Sequence, residues 1–373
     1  MSELIGFLLF AVAVLVVVLV HEGGHFISAK AFGIKVEQFF VGFGPRLWSI
    51  QQGETEYGLK VLPFGGYVRI AGMNPFEEID PADRPRTFGA KAAWQRAVVI
   101  LSGPLTHFMM AAILLFILFV AIGSPSESRP VIDQVFPRLA GGPSPALVAG
   151  LRQGDEIVAL DGRPIVSILR FSPYIRSHVG RPVAITVVRD GRRLTVHATP
   201  VLSTAEGERA GRVGVILGEA RERVGPIVAT GRAITQTGVA TKSVVLRLGD
   251  VFGPTGLKRL GELLVGSQRR APSDPASIVG ATRLAGQAVG QRAWDVFFGM
   301  LIGFNIFVGI LNLVPLPPLD GGHLAVIAYE KVFRRKPDLR KLVPLTAAVA
   351  GLIILFVASL VYIDITNPPK LFP

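Results

Sequence analysis

The amino-acid sequence predicts a polytopic α-helical membrane protein with four transmembrane helices, a cytoplasmic β-hairpin and an extracytoplasmic α+β domain. Three observations indicate this fold class. Of the 373 residues, 50% are hydrophobic and 18% are charged, whereas soluble domains carry about 25% charged residues. Four stretches are apolar and long enough, or nearly so, to cross a bilayer. Between the second and the third, short alternating runs separated by Gly and Asp turns indicate a small β-rich domain.

The composition excludes several classes of function. The chain has no cysteine, which excludes a disulfide scaffold, a thiol nucleophile and a cysteine-based zinc site. Its net charge is +12, but no basic run is interleaved with aromatic residues, as a nucleic-acid-binding surface would require. The positive charge therefore indicates cytoplasmic loops beside lipid headgroups, and nucleic acid is not an expected partner.

The four apolar stretches contain no Asp, Glu, Lys or Arg. The third contains two amides, Asn305 and Asn312. The first has no basic residue before it and no small-residue cleavage site after it, so we interpret it as a retained span rather than a signal peptide. The apolar stretches themselves cover residues 4–20, 97–123, 296–314 and 342–363.

Lys and Arg residues in the loops predict the orientation. Residues 21–96 carry nine of them and residues 331–341 carry six, whereas the C-terminal tail has only Lys370 and the N-terminal tail has none. Short loops rich in Lys and Arg stay in the cytoplasm, while long segments are translocated regardless of charge. We therefore expect both termini and residues 124–295 to be extracytoplasmic.

These observations divide the chain into spans, cytoplasmic loops and extracytoplasmic segments. The β-rich segment is expected to end in a polar, flexible tail at residues 201–225, and patchy helical periodicity in residues 226–295 favours helices along the membrane surface. The predicted spans are 1–32, 97–123, 296–330 and 342–363, the cytoplasmic loops 33–96 and 331–341, and the extracytoplasmic segments 124–225, 226–295 and 364–373.

A metal-binding pattern lies at the end of the first span, in His21-Glu22-Gly23-Gly24-His25. Residues four apart project from the same face of a helix, so both imidazoles can reach one ion. Glu22 lies one residue further round the helix, where its carboxylate can hold a water molecule. The alternative is a polar helix end at the membrane interface, but ionisable residues beside a span are costly and usually functional.

Catalytic zinc takes three protein ligands and keeps an open fourth position. The third apolar stretch runs in the same direction as the first and ends just before Asp320, so Asp320 and the two histidines lie at the same membrane depth. We therefore favour Asp320 as the third ligand over an ordinary Asp-Gly turn or helix cap. His323 is a rival third ligand, for which we favour a supporting or capping role.

Taken together, these residues resemble the site-2 protease family of intramembrane zinc metalloproteases, which pairs a His-Glu-x-x-His motif with a later Leu-Asp-Gly. The resemblance extends over nearly the whole chain and is closest to the single-PDZ bacterial, actinobacterial type. It is carried by Leu319-Asp320-Gly321, by residues 40–45 and 63–69 in a membrane-associated β-hairpin region, by Ser102-Gly103-Pro104 at the opening of the second helix, by PDZ-like motifs in residues 144–162, and by residues 275–280 before the third helix.

One position departs from the family pattern. Where the family usually has Gly-Pro-x-x-Asn, this chain has Gly103-Pro104-Leu105-Thr106-His107. We favour a hydrogen-bonding packing role for His107 over a role in tuning the site.

The resemblance implies a zinc-dependent intramembrane endopeptidase in the bacterial cytoplasmic membrane. It would cleave single-span proteins, such as trimmed anti-sigma factors or remnant signal peptides, within or near their transmembrane segments. His21, His25 and Asp320 would bind one Zn²⁺, and Glu22 would act as general base. The extracytoplasmic PDZ-like domain would filter substrates.

Substrate contacts are expected on both sides of the metal. Residues 57–71 are expected to form a β-hairpin whose edge pairs with unwound substrate, and Pro315, Pro317 and Pro318 to leave an extended segment near the ion. The expected substrate-binding residues are Asn312, Pro317, Gly65, Gly66 and Tyr67. For Asn312, a role as an amide that packs between helices is equally plausible.

Two other functions compete with this interpretation. A catalytically silent, PDZ-bearing membrane scaffold is disfavoured because all four catalytic positions are filled. A metal transporter would use the same histidines, but transporters tend to contain paired repeats with mirrored broken helices, and the sequence shows none.

Overall fold

The fold is given by a computed structural model that describes residues 2–74, 76–165, 167–205, 208–268, 270–271, 274–335 and 337–369. Three residues on which the predicted orientation and the retained first span partly rest lie outside the described residues: Met1, Lys336 and Lys370. The described helices are α1 (Ser2–Ala31), α2 (Ala93–Ala121), α3 (Pro145–Val148), α4 (Phe171–Ser177), α5 (Pro226–Phe252), α6 (Pro254–Leu264), α7 (Ile278–Gly290), α8 (Trp294–Asn312), α9 (Asp320–Phe333) and α10 (Val343–Thr366).

The described strands are β1 (Val36–Gln52), β2 (Thr55–Ile70), β3 (Ser124–Val135), β4 (Arg138–Leu139), β5 (Gly142–Pro143), β6 (Glu156–Leu160), β7 (Arg163–Pro164), β8 (Val183–Arg189), β9 (Arg192–Ala198), β10 (Val201–Ala205), β11 (Glu208–Arg212) and β12 (Val215–Glu222). The chain divides into two compact units, one formed by Met1–Ile117 with Thr230–Pro373 and the other by Leu118–Ala229.

In the described part of the chain, four helices are long and apolar enough to cross a membrane, as the sequence predicts. The first continues well beyond the apolar stretch, so His21 and His25 lie within α1 and not at its end. The second begins at Ala93. Ser102-Gly103-Pro104 therefore lies in the middle of α2 and does not open it, because the polar turns before Ala93 already provide the start.

Helix α7 packs inside the first unit. Its Ala285 and Ala288 are fully buried in a cluster with Phe10 and Val14 of α1 and with Leu301 of α8. Small residues on one face of a helix let a neighbouring backbone approach closely. Helix α7 therefore packs against two of the membrane-type helices, α1 and α8, and the placement of residues 226–295 along the membrane surface stays a prediction.

A buried carboxylate ties α10 to the start of α7. Asp364 accepts hydrogen bonds from the backbone N–H groups of Ser277 and Gly280, at 2.8 and 3.0 Å, and is paired with the Arg270 guanidinium. The side chains of Arg270 and Asp364 are 4% and 0% exposed. Because these hydrogen bonds satisfy N–H groups that the first turn of α7 leaves free, they fix where that helix begins.

The β-hairpin is longer than expected, and its turn lies elsewhere. Strand β2 is a single strand that pairs antiparallel with β1, and the turn is at residues 53–54, not within 57–71. Because of register shifts in the ladder, β1 pairs with two different parts of β2, so that Val41 pairs with both Leu59 and Gly66. Residues 66–70 therefore form an edge strand.

The connection between α8 and α9 is a series of turns. Helix α8 ends at Asn312, and the prolines after it prevent its continuation. Leu316 N–H donates to the Val314 carbonyl and Leu319 N–H to the Leu316 carbonyl. These hydrogen bonds make the segment compact, so the expected extended conformation is not found.

The second unit is built on an antiparallel sheet in the order β12-β3-β6-β8-β9, with β7 paired to β6. Its core includes the fully buried Ile132, Val183, Ile185 and Val187. The expected flexible tail is not found in the described parts of residues 201–225, because β10 pairs with β11 and β12 pairs with β3. Val213 lies in the core between these strands, and its burial explains why a segment of polar composition is ordered.

Candidate active site

Three side chains from two helices, His21, His25 and Asp320, meet at one point of the first unit and form a group that we call the metal-type cluster. His21 and His25 come from adjacent turns of α1, and Asp320 is the first residue of α9. The atoms of these side chains that could bind a metal are in close contact. His21 Nε2 lies 3.2 Å from His25 Nε2 and 3.3 Å from Asp320 Oδ2, and His25 Nε2 lies 3.4 Å from Asp320 Oδ2. The side chains of His21, His25 and Asp320 are only 12%, 9% and 18% exposed.

This arrangement fits a zinc ion. With zinc–ligand bonds of 2.0–2.1 Å, two ligand atoms of a tetrahedral site are about 3.3 Å apart, which matches all three separations. His25 Nδ1 donates to the Val99 carbonyl at 2.8 Å, so in the neutral ring Nε2 carries the lone pair. Asp320 Oδ2 is buried and has no hydrogen-bond partner among the described residues. Buried electron-pair donors this close together need a cation between them.

The carboxylate of Glu22 lies beside the edge of the β-hairpin. Glu22 lies close to the backbone of Val68 and to the three clustered side chains. A Cβ placed on Gly66 would lie 3.7 Å from Glu22 Cγ. The edge strand of β2 therefore runs past Glu22.

Gly103 provides the space that the histidines occupy. A Cβ at this position would lie 2.2 Å from His25 Nε2 and 2.9 Å from His21 Cε1, distances that no side chain tolerates. The sequence predicts neither this role nor that of the Val99 carbonyl. Its local signal here is the Ser102-Gly103-Pro104 motif, which predicts the start of a helix rather than a contact with the histidines.

The two glycines between the histidines differ in their surroundings. A Cβ on Gly24 would lie 2.6 Å from the Ser102 carbonyl oxygen, whereas a Cβ on Gly23 would meet nothing within 4 Å. Gly24 therefore allows close packing of α1 against α2, and Gly23 faces open space.

Helix α9 is held by an ion pair at the end opposite Asp320. Arg96 Nη2 of α2 donates to Glu330 Oε2 at 2.6 Å, and the two side chains are 11% and 15% exposed. Glu330 lies three turns after Asp320 on the same helix. The pair therefore fixes the helix that presents the carboxylate.

Other residues singled out from the sequence lie around this centre. Asn312 is the half-buried last residue of α8. The Tyr67 hydroxyl donates to Gln38 Oε1 at 3.0 Å and its ring stacks on Phe40, so its side chain is engaged within the hairpin. His323 lies outside the metal-type cluster. Together with Pro317, it lines an apolar cavity of about 380 Å³ beside α10.

Comparisons with known proteins agree with this geometry. The model of peptidase family M50 matches residues 9–358. Zinc metalloprotease Rip1 of Mycobacterium tuberculosis is 33% identical over 401 aligned positions, which cover 98% of each chain. Rip1 of Mycolicibacterium smegmatis is 34% identical over 99% of each chain, and zinc metalloprotease RasP of Geobacillus kaustophilus is 28% identical over 86% of this chain and 88% of its own. These matches confirm the resemblance seen in the motifs, and the chain belongs to peptidase family M50.

Proposed function

We propose that this protein is a zinc-dependent intramembrane endopeptidase in which His21, His25 and Asp320 hold the metal and Glu22 moves the proton. The observation that carries the proposal is that three atoms able to bind a metal converge at zinc-like separations, and that Glu22 lies close to them and to an edge strand. When bound, zinc supplies a Lewis acid that makes water nucleophilic near neutral pH and polarises a peptide carbonyl.

Glu22 would take the proton from the attacking water and return it to the leaving amine nitrogen. Its place one residue after His21 on α1 keeps the carboxylate beside the metal. The Val99 carbonyl holds the His25 ring in the tautomer that leaves Nε2 free. The low exposure of the histidines limits the water at the site, so that charges formed during the reaction interact strongly with their partners.

The substrate would be presented as an extended strand. A transmembrane helix must unwind before its backbone can be cleaved, and its freed N–H and C=O groups then need partners. Residues 66–70 offer such partners because they form an edge of the hairpin. We propose that Gly65, Gly66 and Tyr67 contact the substrate through their backbones, and that Asn312 and Pro317 border it on the other side.

The proposed orientation follows from the distribution of Lys and Arg. Both basic loops face the cytoplasm, both termini and residues 124–295 face outward, and the active site lies near the cytoplasmic side of a bacterial cytoplasmic membrane. The predicted division of the chain into spans and loops is part of this proposal. The second unit acts as a PDZ-like filter, and the substrates are single-span proteins such as trimmed anti-sigma factors or signal-peptide remnants.

The test compares wild type, Glu22→Gln and Asp320→Ala, purified in detergent, for cleavage of single-span substrates and for zinc content. We expect Glu22→Gln to keep zinc and lose cleavage by at least about 100-fold, and Asp320→Ala to lose both. Glu78→Gln, which replaces an exposed carboxylate, is the matched control. Cleavage by Glu22→Gln at the wild-type rate would contradict the role of Glu22 as general base. Unchanged zinc content in Asp320→Ala would contradict the proposed ligand set.

A further inference from the structure

One nitrogen of the metal-type cluster has no described partner. If His21 binds a metal through Nε2, its Nδ1 carries the proton and needs an acceptor, as it does in nearly all histidine ligands of metals. His25 meets this requirement with the Val99 carbonyl. His21 Nδ1 is buried and has no hydrogen-bond partner among the described residues, so no described hydrogen bond fixes its tautomer.

A third histidine lies against this ring. His107 of α2 is 1% exposed, and its ring centroid is 4.9 Å from that of His21, with the two planes inclined by 37°. His107 Nε2 is also buried and without a hydrogen-bond partner among the described residues. Two adjacent rings therefore each have one nitrogen that is unsatisfied.

Hydrogen bonds on the far side of His107 determine which nitrogen carries its proton. Asn305 Nδ2 donates to the Leu301 carbonyl at 2.8 Å, which turns Asn305 Oδ1 towards His107. His107 Nδ1 lies 3.4 Å from this oxygen and must donate to it. In the neutral ring, His107 Nε2 is then an acceptor. The unpaired donor on His21 and the unpaired acceptor on His107 are complementary.

We propose that His107 is a positioning residue for the metal ligand His21, whose Nδ1 proton its Nε2 accepts. This hydrogen bond requires rotation of one ring, or one water molecule that bridges the two nitrogens. A chain of hydrogen bonds then runs from Asn305 of α8 through His107 of α2 to His21 of α1. It fixes the tautomer and the orientation of the His21 ring. This inference rests on the proposed ligand set.

Zinc affinity is the direct measure of this role. Partners that orient a ligand are typically worth 10–100-fold in metal affinity. His107→Leu keeps most of the side-chain volume and removes the acceptor, whereas His107→Gln places an amide oxygen near the position of Nε2. We expect His107→Leu to raise the zinc Kd roughly 10–100-fold and His107→Gln to stay within about threefold of wild type.

The measurement is a zinc competition titration of the full-length apoprotein against a chromophoric chelator, with the melting temperature of each apoprotein recorded in parallel. Thr282→Val, which removes a buried hydroxyl from α7, controls for the general cost of losing a buried polar group. The absorption spectrum of the Co²⁺-loaded protein reports ligand geometry independently of cleavage.

Each outcome decides the question. Weaker zinc binding in His107→Leu, its recovery in His107→Gln and a normal Kd in Thr282→Val support the positioning role. An unchanged Kd in His107→Leu, or equal weakening by Leu and Gln, overturns it and leaves His107 as a packing residue. Absence of zinc binding by the wild type contradicts the proposed ligand set itself, and this failure is distinct from failure of the inference.

Discussion

At Gly103, a missing side chain makes the metal-type cluster possible. The approach of α2 to His21 and His25 leaves no room for a methyl group, because a Cβ would lie 2.2 Å from His25 Nε2. We expect Gly103→Ala to displace the His25 ring, weaken zinc binding by at least about tenfold and reduce cleavage in parallel. Zinc competition titration of the purified variant measures the first effect, and cleavage of a single-span substrate measures the second.

The control is a glycine on a helix face with open space. A Cβ on Gly303 of α8 would meet nothing within 4 Å, and alanine is favoured over glycine inside a helix by about 0.5–1 kcal/mol. We expect Gly303→Ala to keep the zinc Kd and to be slightly more stable than wild type. Normal zinc binding by Gly103→Ala would show that α2 can move away from the histidines.

Sequence reasoning at the residue scale succeeded where chemistry depends on local spacing. The four-residue step from His21 to His25 predicts a shared helix face without knowledge of any neighbour. Val99, Gly103 and the pairing of His107 with Asn305 depend on how α2 docks against α1 and α8. That docking is set by side chains far apart in the chain, so spacing alone could not reveal it.

At the scale of elements, an acid-sensitive contact anchors the β-hairpin. Glu54 at its turn accepts hydrogen bonds from Lys30 and Arg86, each at 2.6 Å. The hydrogen bond from Lys30, reinforced by Arg86, lowers the pKa of Glu54 below its ordinary value of 4.5. A carboxyl group whose pKa is lower in the folded protein than in the unfolded chain stabilises the folded protein at pH values above the pKa of the unfolded chain. This stabilisation is lost as the pH falls through the pKa of the folded protein.

We therefore expect wild type to be more stable than Glu54→Gln above about pH 5, and the difference to shrink progressively below that pH. Because Glu54 is partly exposed, the effect is modest and is reduced by salt. Melting temperatures of both proteins across the acidic range, at low and high salt, measure it. A constant difference at every pH would mean that the Glu54 charge does not anchor the hairpin.

A second contact between elements holds α9. Arg96→Met leaves Glu330 nearly buried and unpaired. Removal of one partner from a buried ion pair costs about 3–5 kcal/mol of folding stability. Because both side chains keep some exposure, we expect a cost at or below the lower end of this range. The double variant Arg96→Met with Glu330→Met removes both charges, and we expect it to recover much of the loss. Thermal unfolding of the two single variants and the double variant gives the coupling energy.

If the ion pair positions α9, the single variant should also bind zinc more weakly, because Asp320 begins the same helix. Additive effects of the two substitutions on stability would contradict direct coupling. A stability loss with an unchanged zinc Kd would show that α9 is held elsewhere along its length.

For the whole molecule, the number and type of the spans could be predicted because apolar length is recorded directly in the sequence. The order of residues 201–225 could not, because Val213 becomes a core residue only when β12 pairs with β3. The hairpin turn was misplaced for a related reason. Pro63 and Gly65 signal a break, but the strand bends there and continues, and pairing to distant residues decides its register.

The two units contain separate cores, and this separation has a measurable consequence. Ile185 is fully buried in the core of the second unit, whereas the metal-type cluster belongs entirely to the first. Ile→Ala in a core costs about 2–5 kcal/mol. We expect Ile185→Ala to lower the melting transition of the second unit and leave the zinc Kd unchanged.

Zinc should act on the other transition. A ligand present at 100 times its Kd stabilises the state that binds it by about 2.7 kcal/mol, so added zinc should raise only the melting temperature of the first unit. Leu301→Ala, in the core of that unit, should lower the same transition that zinc raises. Differential scanning calorimetry with and without zinc follows both transitions. If Ile185→Ala shifted the zinc-dependent transition as well, the two units would unfold as one cooperative body, and the second unit could then influence the metal site through stability alone.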